Sequence, residues 1–345
     1  MTDKLDADKP GADALDAGAL DAELTAILDA LEIIAPDAFR FAGGLLHHLP
    51  QPGAMANAII STLYTNCYAH RFPGPPARSP YPPDPAHPIK LDAANGNRDH
   101  WDAGWRVYAV DADGSVSVSK GERQRRARPG EYLATNGRGT VPQPGEQVTL
   151  WMPRGSHTLQ TAFQFMYGEA PTDVWDEYAL TRVYFNITPT GVPVLIRALT
   201  QALNAYQVPY RMKALTDATH YTRSDSMVLY MARRHAEFVA RLIAGLPPAA
   251  TEELADPTPL FTCRFRAGIG FAEDPGNGDS FGIHRCRLMT EAVLAAHAAG
   301  QRTARQKLEA VRAHFAANGL NLARPWVSPG RTDIYSAFDA ERLAP

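Results

Sequence analysis

Residues 181–215 read TRVYFNITPTGVPVLIRALTQALNAYQVPYRMKAL. The first eight alternate: Val183, Phe185 and Ile187 fall on one side of an extended chain, and Arg182, Tyr184 and Asn186 on the other. The period then changes. Val192, Leu195, Ile196, Leu199 and Leu203 recur at helical spacing over 191–206, with Thr190 placed to cap the helix. PYRMKAL returns to alternation and puts Arg211 and Lys213 on one face. A strand, a helix and a strand follow one another without the glycine-rich turn of a nucleotide-binding βαβ unit. This predicts an α+β fold, a mixed or antiparallel sheet flanked by helices, rather than a doubly wound parallel sheet.

Outward from this core, TAFQFMYG, SMVLYM and LFTCRF read as further strands, 232–244 as a helix, and 283–318 as two helices. Upstream, Leu20, Leu24, Ile27, Leu28 and Leu31 make one amphipathic helix, and Met55, Ile59, Ile60, Leu63 and Tyr64 another. Proline is frequent enough from Phe72 to Pro88 to enforce a surface loop. The runs WRVYAV, GSVSVS, EYLATN and QVTLWM, separated by DADG, RPG and PQPG turns, read as an antiparallel meander. The expected organisation is a disordered acidic tail (1–18), a helix pair plus meander (19–155), a mixed region holding the candidate site (156–330) and a C-terminal tail (331–345).

The 345 residues, 45% of them hydrophobic, suffice for a real core. No stretch approaches the roughly 20 apolar residues of a membrane span, and the acidic N-terminus lacks the features of a signal peptide, so the expectation is a cytoplasmic protein without membrane contact. Three scattered cysteines argue against a disulfide framework. The eleven histidines include no HExxH and no pairing with cysteine at ligand spacing, so neither a metal nor another cofactor is expected. The net charge of −3 hides eight acids and two lysines in residues 1–30; the slightly basic remainder suits a local anion pocket, not nucleic acid. Only six of the 34 basic residues are lysines. Arginine is the usual bidentate grip on phosphate, whereas lysine is the cation whose pKa falls far enough for a base.

Each candidate has a plainer alternative. The polar face of 182–186 also suits solvent. Lys213 also suits an edge strand that blocks aggregation. Arg223 and Asp225, ahead of a strand carrying Tyr230, also suit an exposed turn ion pair. His284, Arg285 and Arg287 lie at a helix start, where arginines either gather an anion or merely solubilise; Arg287 fits the second role. Residues 278–282, GDSFG, match the G-x-S-x-G of a hydrolase elbow. The acid and histidine that should follow Ser280 come in the wrong order, and parallel βα units are missing upstream, so a chance glycine-rich loop is the better reading.

The run YFNIT, VPYRMKAL, YTRSDSMVLYMARR and PLFTCRFRAGIGFAEDPGNGDSFGIHRCRLMTEAV resembles the HopA family of type III effectors. It is still more similar to the HopA-type lyase subunits of class V lanthipeptide and thioamitide biosynthesis, over roughly residues 160–300. NGNRDHWDAGWRVYAV and RPGEYL resemble them more weakly. The resemblance implies that 156–330 is a catalytic region. It further implies elimination of phosphate from phosphoserine or phosphothreonine of a precursor peptide that a separate Ser/Thr kinase has phosphorylated, leaving dehydroalanine or dehydrobutyrine. A more distant resemblance, to phosphothreonine lyase effectors, places Lys213 as catalytic lysine, Arg223 as phosphate-gripping arginine, Tyr230 as strand tyrosine and Arg182 where a lysine stands. Tyr184 replaces a histidine.

The chemistry needs such residue types. A lysine desolvated among arginines can take a weakly acidic Cα proton, which assigns Lys213 as base. Arg182, Arg223 and Arg285 would hold the phosphate, with Asn186, Arg211, Asp225 and Tyr230 in support. For the proton donor, His284 is expected, with Tyr184 orienting the phosphate and its phenol pKa lowered by nearby cations. A non-catalytic scaffold that binds peptide or kinase, and a serine hydrolase on Ser280, are the alternatives.

Overall fold

The computed structural model describes residues 12–51, 53–135 and 141–343. Helix α1 (Ala12–Ala30) leads into a small antiparallel sheet of β1 (Leu31–Ala35), β2 (Ala38–Phe41) and β3 (His47–His48). Residues 12–18 therefore belong to a helix, which corrects the expectation of disorder there; the remainder of that expectation, 1–11, lies outside the described residues. Leu31, expected to continue the helix, begins a strand. Next come α2 (Ala54–Leu63), a π-helical turn (Tyr64–Ala69) and α3 (His87–Ala94).

The meander is β4 (His100–Val110), β5 (Val116–Lys120), β6 (Arg123–Ala127), β7 (Tyr132–Ala134) and β8 (Gln147–Met152), in the order β6-β5-β4-β8-β7. Strand β6, RQRRA, has no apolar alternation to announce it. Trp105, Val107, Val116, Val118, Val148 and Leu150 give this sheet its own small core.

The main sheet is antiparallel throughout: β9 (Gly155–Ser156), β10 (Phe163–Tyr167), β11 (Leu180–Phe185), β12 (Tyr210–Leu215), β13 (Met227–Ala232), β14 (Cys263–Arg266) and β15 (Ile269–Glu273), ordered β14-β15-β11-β13-β12-β10-β9. A short helix, α4 (Val174–Glu177), precedes β11; α5 (Val192–Ala205) joins β11 to β12, and β13 inserts between those two strands. Helices α6 (Ala236–Ala244), α7 (Pro248–Thr251), α8 (Phe281–Ala298), α9 (Ala304–Ala317) and α10 (Ala340–Leu343) complete the chain. Gly191 rather than Thr190 stands at the N-cap of α5; the Thr190 hydroxyl instead lies 2.9 Å from that of Thr188.

Alternation sends the two faces of the sheet to different partners. Val183, Phe185, Met212, Leu229 and Met231 pack under α5 and α6. Tyr184, Val228, Tyr230 and Ala272 face the helical layer formed by α1, α2, the π turn, α8 and α9, where Leu24, Ile27 and Leu28 share a core with Val311 and Phe315. The first and last helices are thus one unit. Lys307 Nζ binds the carbonyls of Leu28 and Leu31 at 2.7 and 2.6 Å, closing the end of α1. Beyond residue 330 the chain is still anchored: Tyr335 is buried, its hydroxyl 2.7 Å from Thr181 Oγ1.

Candidate functional site

Strand register assembles the site. Arg182 stands opposite Tyr230, and Tyr230 opposite Arg211; one pair along, Tyr184 faces Val228 and Val228 faces Lys213. With side chains alternating, all of these project to the helix-covered face. Both guanidinium carbons sit 5.2 Å from the centre of the Tyr230 ring, so the ring holds two like charges at once. Arg182, only 8% exposed, is fixed by Asp274, with Nε 2.8 Å from Oδ2, and by the carbonyl of Asp279 at 3.3 Å.

Lys213 is half-buried. Its Nζ donates to Gln160 Oε1 at 2.8 Å and lies 4.1 Å from the Phe163 ring centre. Burial pushes its pKa from an ordinary 10.5 down to about 8; Asp225 opposes the shift, while Arg182, Arg223 and Arg211 add to it. A lysine with that pKa is ~10% neutral at pH 7, against well under 0.1% for a free one.

Arg223 and Asp225 form a fork, with Nε to Oδ1 at 2.7 Å and Nη2 to Oδ2 at 2.8 Å. Tyr64, from the π turn, closes it by accepting from Arg223 Nη2 at 2.9 Å and donating to Asp225 Oδ2 at 3.2 Å. Its ring stacks on Tyr68, 5.2 Å between centres, and Tyr68 meets Tyr184 edge-on at 6.3 Å. The extra residue of a π turn rotates this segment relative to α2, and such turns often accompany functional sites. The Tyr184 hydroxyl is buried beside Tyr68 and Arg182 without a well-aligned hydrogen bond to either. Burial raises its pKa more than Arg182 lowers it, which overturns the expectation of an acidified phenol.

The helix-start residues lie behind the wall that Tyr184 and Tyr68 give this cluster. Arg285 is fully buried on the Phe281 ring, donating to Pro325 O at 2.7 Å and Val327 O at 3.4 Å; burial lowers its pKa to about 10. It fastens the 325–327 segment, and its charge borders the site at Tyr184 and Tyr68, which hold its pKa up against burial. His284 Nδ1 lies 2.6 Å from Arg285 Nη1. Its pKa is lowered by burial and by Arg285, with Asp279, Arg287 and Glu291 as its other electrostatic neighbours, none of them from the Lys213 cluster. Asn186 points away as well, holding Pro257 O at 2.8 Å. Ser280 caps α8 by accepting from the Ile283 amide at 3.2 Å. At Gly282 a Cβ would stand 2.4 Å from the Tyr68 ring, so the glycine that completes the G-x-S-x-G pattern is there to let α8 approach the tyrosine.

The site thus gathers Arg182, Tyr184, Arg211, Lys213, Arg223, Asp225 and Tyr230, and adds Tyr64, Tyr68, Gln160 and Asp274, which the sequence reading missed. Tyr64 carried a signal only for helix packing. Three arginines and a lysine face three carboxylates, Asp225, Asp274 and, 3.8 Å from Arg211, Glu177, which leaves a net positive charge that suits an anion. Among the described residues, no His, Cys, Asp or Glu side chains gather in a group of three or more that could hold a metal ion, and no helix is long and apolar enough to cross a membrane.

Comparison with known proteins places this geometry in a family. The model of the HopA1 effector protein family matches residues 155–327, half of the chain. This chain belongs to the HopA1 family. The HopA1 match contains the arginine row, Lys213 and the Arg223–Asp225 fork, whereas Tyr64 and Tyr68 come from outside it. Two solved structures to which this chain is similar are effector proteins of Pseudomonas syringae. One, from pv. tomato strain DC3000, is 14% identical, covers 92% of this chain and 99% of its own, and has a TM-score of 0.49. The other, from pv. syringae strain 61, is 15% identical, covers 78% and 88%, and has a TM-score of 0.42. No curated protein matches the chain.

Proposed function

We propose that this HopA1 protein is a phosphoserine/phosphothreonine lyase. It would eliminate phosphate from a ribosomally made precursor peptide to leave dehydroalanine or dehydrobutyrine, as in lanthipeptide maturation. The observation that carries the reading is Lys213, pushed down to about 8 among three arginines and bound to an amide rather than a carboxylate. A structural lysine has no need of that environment; a base for a Cα proton does.

In the reaction, Lys213 Nζ takes the Cα proton, the electron pair forms the Cα–Cβ double bond, and the Cβ–O bond breaks with its pair going to phosphate. Arg182, Arg211 and Arg223 hold the phosphate as it departs, their orientation preset by Asp274, Tyr230, Asp225 and Tyr64. Of the two proton donors, position favours Tyr184 over His284. Its buried hydroxyl lies in the Lys213 cluster and its raised pKa keeps the proton in place, whereas the charged neighbours of His284 are Arg285, Asp279, Arg287 and Glu291. The chain has no kinase phosphate loop, so its substrate would be phosphorylated by a separate Ser/Thr kinase.

A synthetic phosphothreonine peptide tests the reading. A lyase removes one phosphoric acid and leaves an alkene that adds a thiol. Hydrolysis leaves the hydroxyl, one water heavier and inert to thiol. Unchanged mass with retained binding would reassign the protein as a binding scaffold, and ester hydrolysis lost in Ser280→Ala would reassign it as a hydrolase.

A further inference from the structure

Large aromatic rings in water are uncommon, and Trp175 and Tyr178 are 74% and 72% exposed, their centres 6.1 Å apart. Their backbone is pinned. Buried Asp176 takes both Nε and Nη2 of Arg234, at 2.7 and 2.8 Å, and the Tyr178 carbonyl accepts from Arg331 at 2.8 Å. Glu177, between the rings in sequence, reaches Arg211 at 3.8 Å, and Arg211 lies on the Tyr230 ring that also carries Arg182. One ion pair therefore separates the exposed rings from the anion pocket. Two other exposed aromatic pairs, Trp101 with Trp151 and Tyr206 with Phe238, lie on the five-stranded sheet and at the outer ends of α5 and α6.

We propose that Trp175 and Tyr178 form a docking platform for the peptide segment beside the phosphorylated residue, taking an apolar or aromatic side chain while the arginine row takes the phosphoryl group. The inference rests on the reading of that row as a phosphate site. Other occupants fit less well. Two rings supply at most ~150–250 Å² each, well short of the ~800 Å² per partner of a stable protein interface. Around the rings exposed Asp173 and Glu177 and buried Asp176 balance Arg211, Arg234 and Arg331, which leaves no basic excess to attract an anionic membrane surface. A peptide needs only the rings and the adjacent cations.

The test measures dissociation constants in the Lys213→Ala background, so that peptide is not consumed. The ligands are inorganic phosphate and a phosphothreonine peptide with leucine next to the phosphorylated residue. Replacing both rings, Trp175→Ala with Tyr178→Ala, weakens the phosphopeptide by about tenfold or more, the scale of an aromatic anchor, and leaves phosphate within twofold. Trp101→Ala, a surface control, changes neither. Unchanged phosphopeptide binding in the double variant, or an equal loss in Trp101→Ala, overturns the platform. Failure of inorganic phosphate to bind the chain with both rings and Lys213 intact overturns the phosphate site beneath it.

Discussion

The two faces of the seven-stranded sheet come from the same strands yet follow opposite rules. Under α5 and α6 the face is Val183, Phe185, Met212, Leu229 and Met231, a dry layer in which each side chain contributes ~1.5–3 kcal/mol by leaving water. Under the π turn and α8, the same strands carry buried Arg182, Tyr184 and Tyr230 beside half-buried Arg211 and Lys213, three cations and two phenols. A charged group shielded from water costs stability unless it is paired, and Lys213 is left half-paid, its amide partner giving it no counter-charge. One face holds the fold together; the other gives up part of that stability to hold a lysine of lowered pKa.

Substitutions on the two faces should therefore fail differently. Lys213→Ala leaves a folded protein and slows elimination by ~10²–10⁴-fold, read as single-turnover release of phosphate. In the unaltered chain kcat/KM climbs with pH and levels off above about 8, as Lys213 loses its proton. If the plateau is absent, or turnover survives in Lys213→Ala, the base lies elsewhere. On the opposite face, Phe185→Ala costs ~3–5 kcal/mol of unfolding free energy in denaturant titration while the folded fraction keeps its kcat. A selective fall in kcat there would break the division between the faces.

Smaller effects sharpen it. Arg223→Lys raises KM and lowers kcat together, about tenfold in kcat/KM, because a point charge replaces neither arm of the fork with Asp225 and Tyr64. A change in melting temperature alone would make Arg223 structural. The smallest effect runs upward: Lys213→Met stabilises the inactive protein by ~0.5–2 kcal/mol at pH 7. The sign follows from proton binding. Because the folded pKa is depressed, the unfolded chain binds more proton between about 8 and 10.5, so the burden of Lys213 is full below that window and fades through it. Melts at pH 7 and pH 10 should show the advantage of Lys213→Met shrinking.

The strands and helix around residue 200 were legible because their information is local. Alternation at 182–187 and the stripe from Val192 to Leu203 each lie within one element, and the residues that share the polar face follow from counting by two. Strand β15, IGFAE, was not legible, since its glycine serves contact rather than propensity: at Gly270 a Cβ would stand 2.5 Å from Thr262 Oγ1. Nor was the setting of Arg285 legible, because a helix start shows which residues are near the N-terminus but not which way a buried side chain turns; its guanidinium takes the carbonyls of Pro325 and Val327 while lying near Tyr184.

The sequence by itself determined the α+β class and the polar face of β11 and β12, since these rest on periodicity; Lys213, Arg223 and Asp225 were singled out there by resemblance and by what single side chains can do chemically. The tertiary structure decided the rest. It brought Tyr64 across 159 residues to Arg223 and Asp274 across 92 to Arg182, and fastened Arg285 to the carbonyl of Pro325. Burial set the ionisation of Lys213 and Tyr184. Desolvation and long-range pairing depend on what lies opposite a residue in space, and no local pattern encodes that.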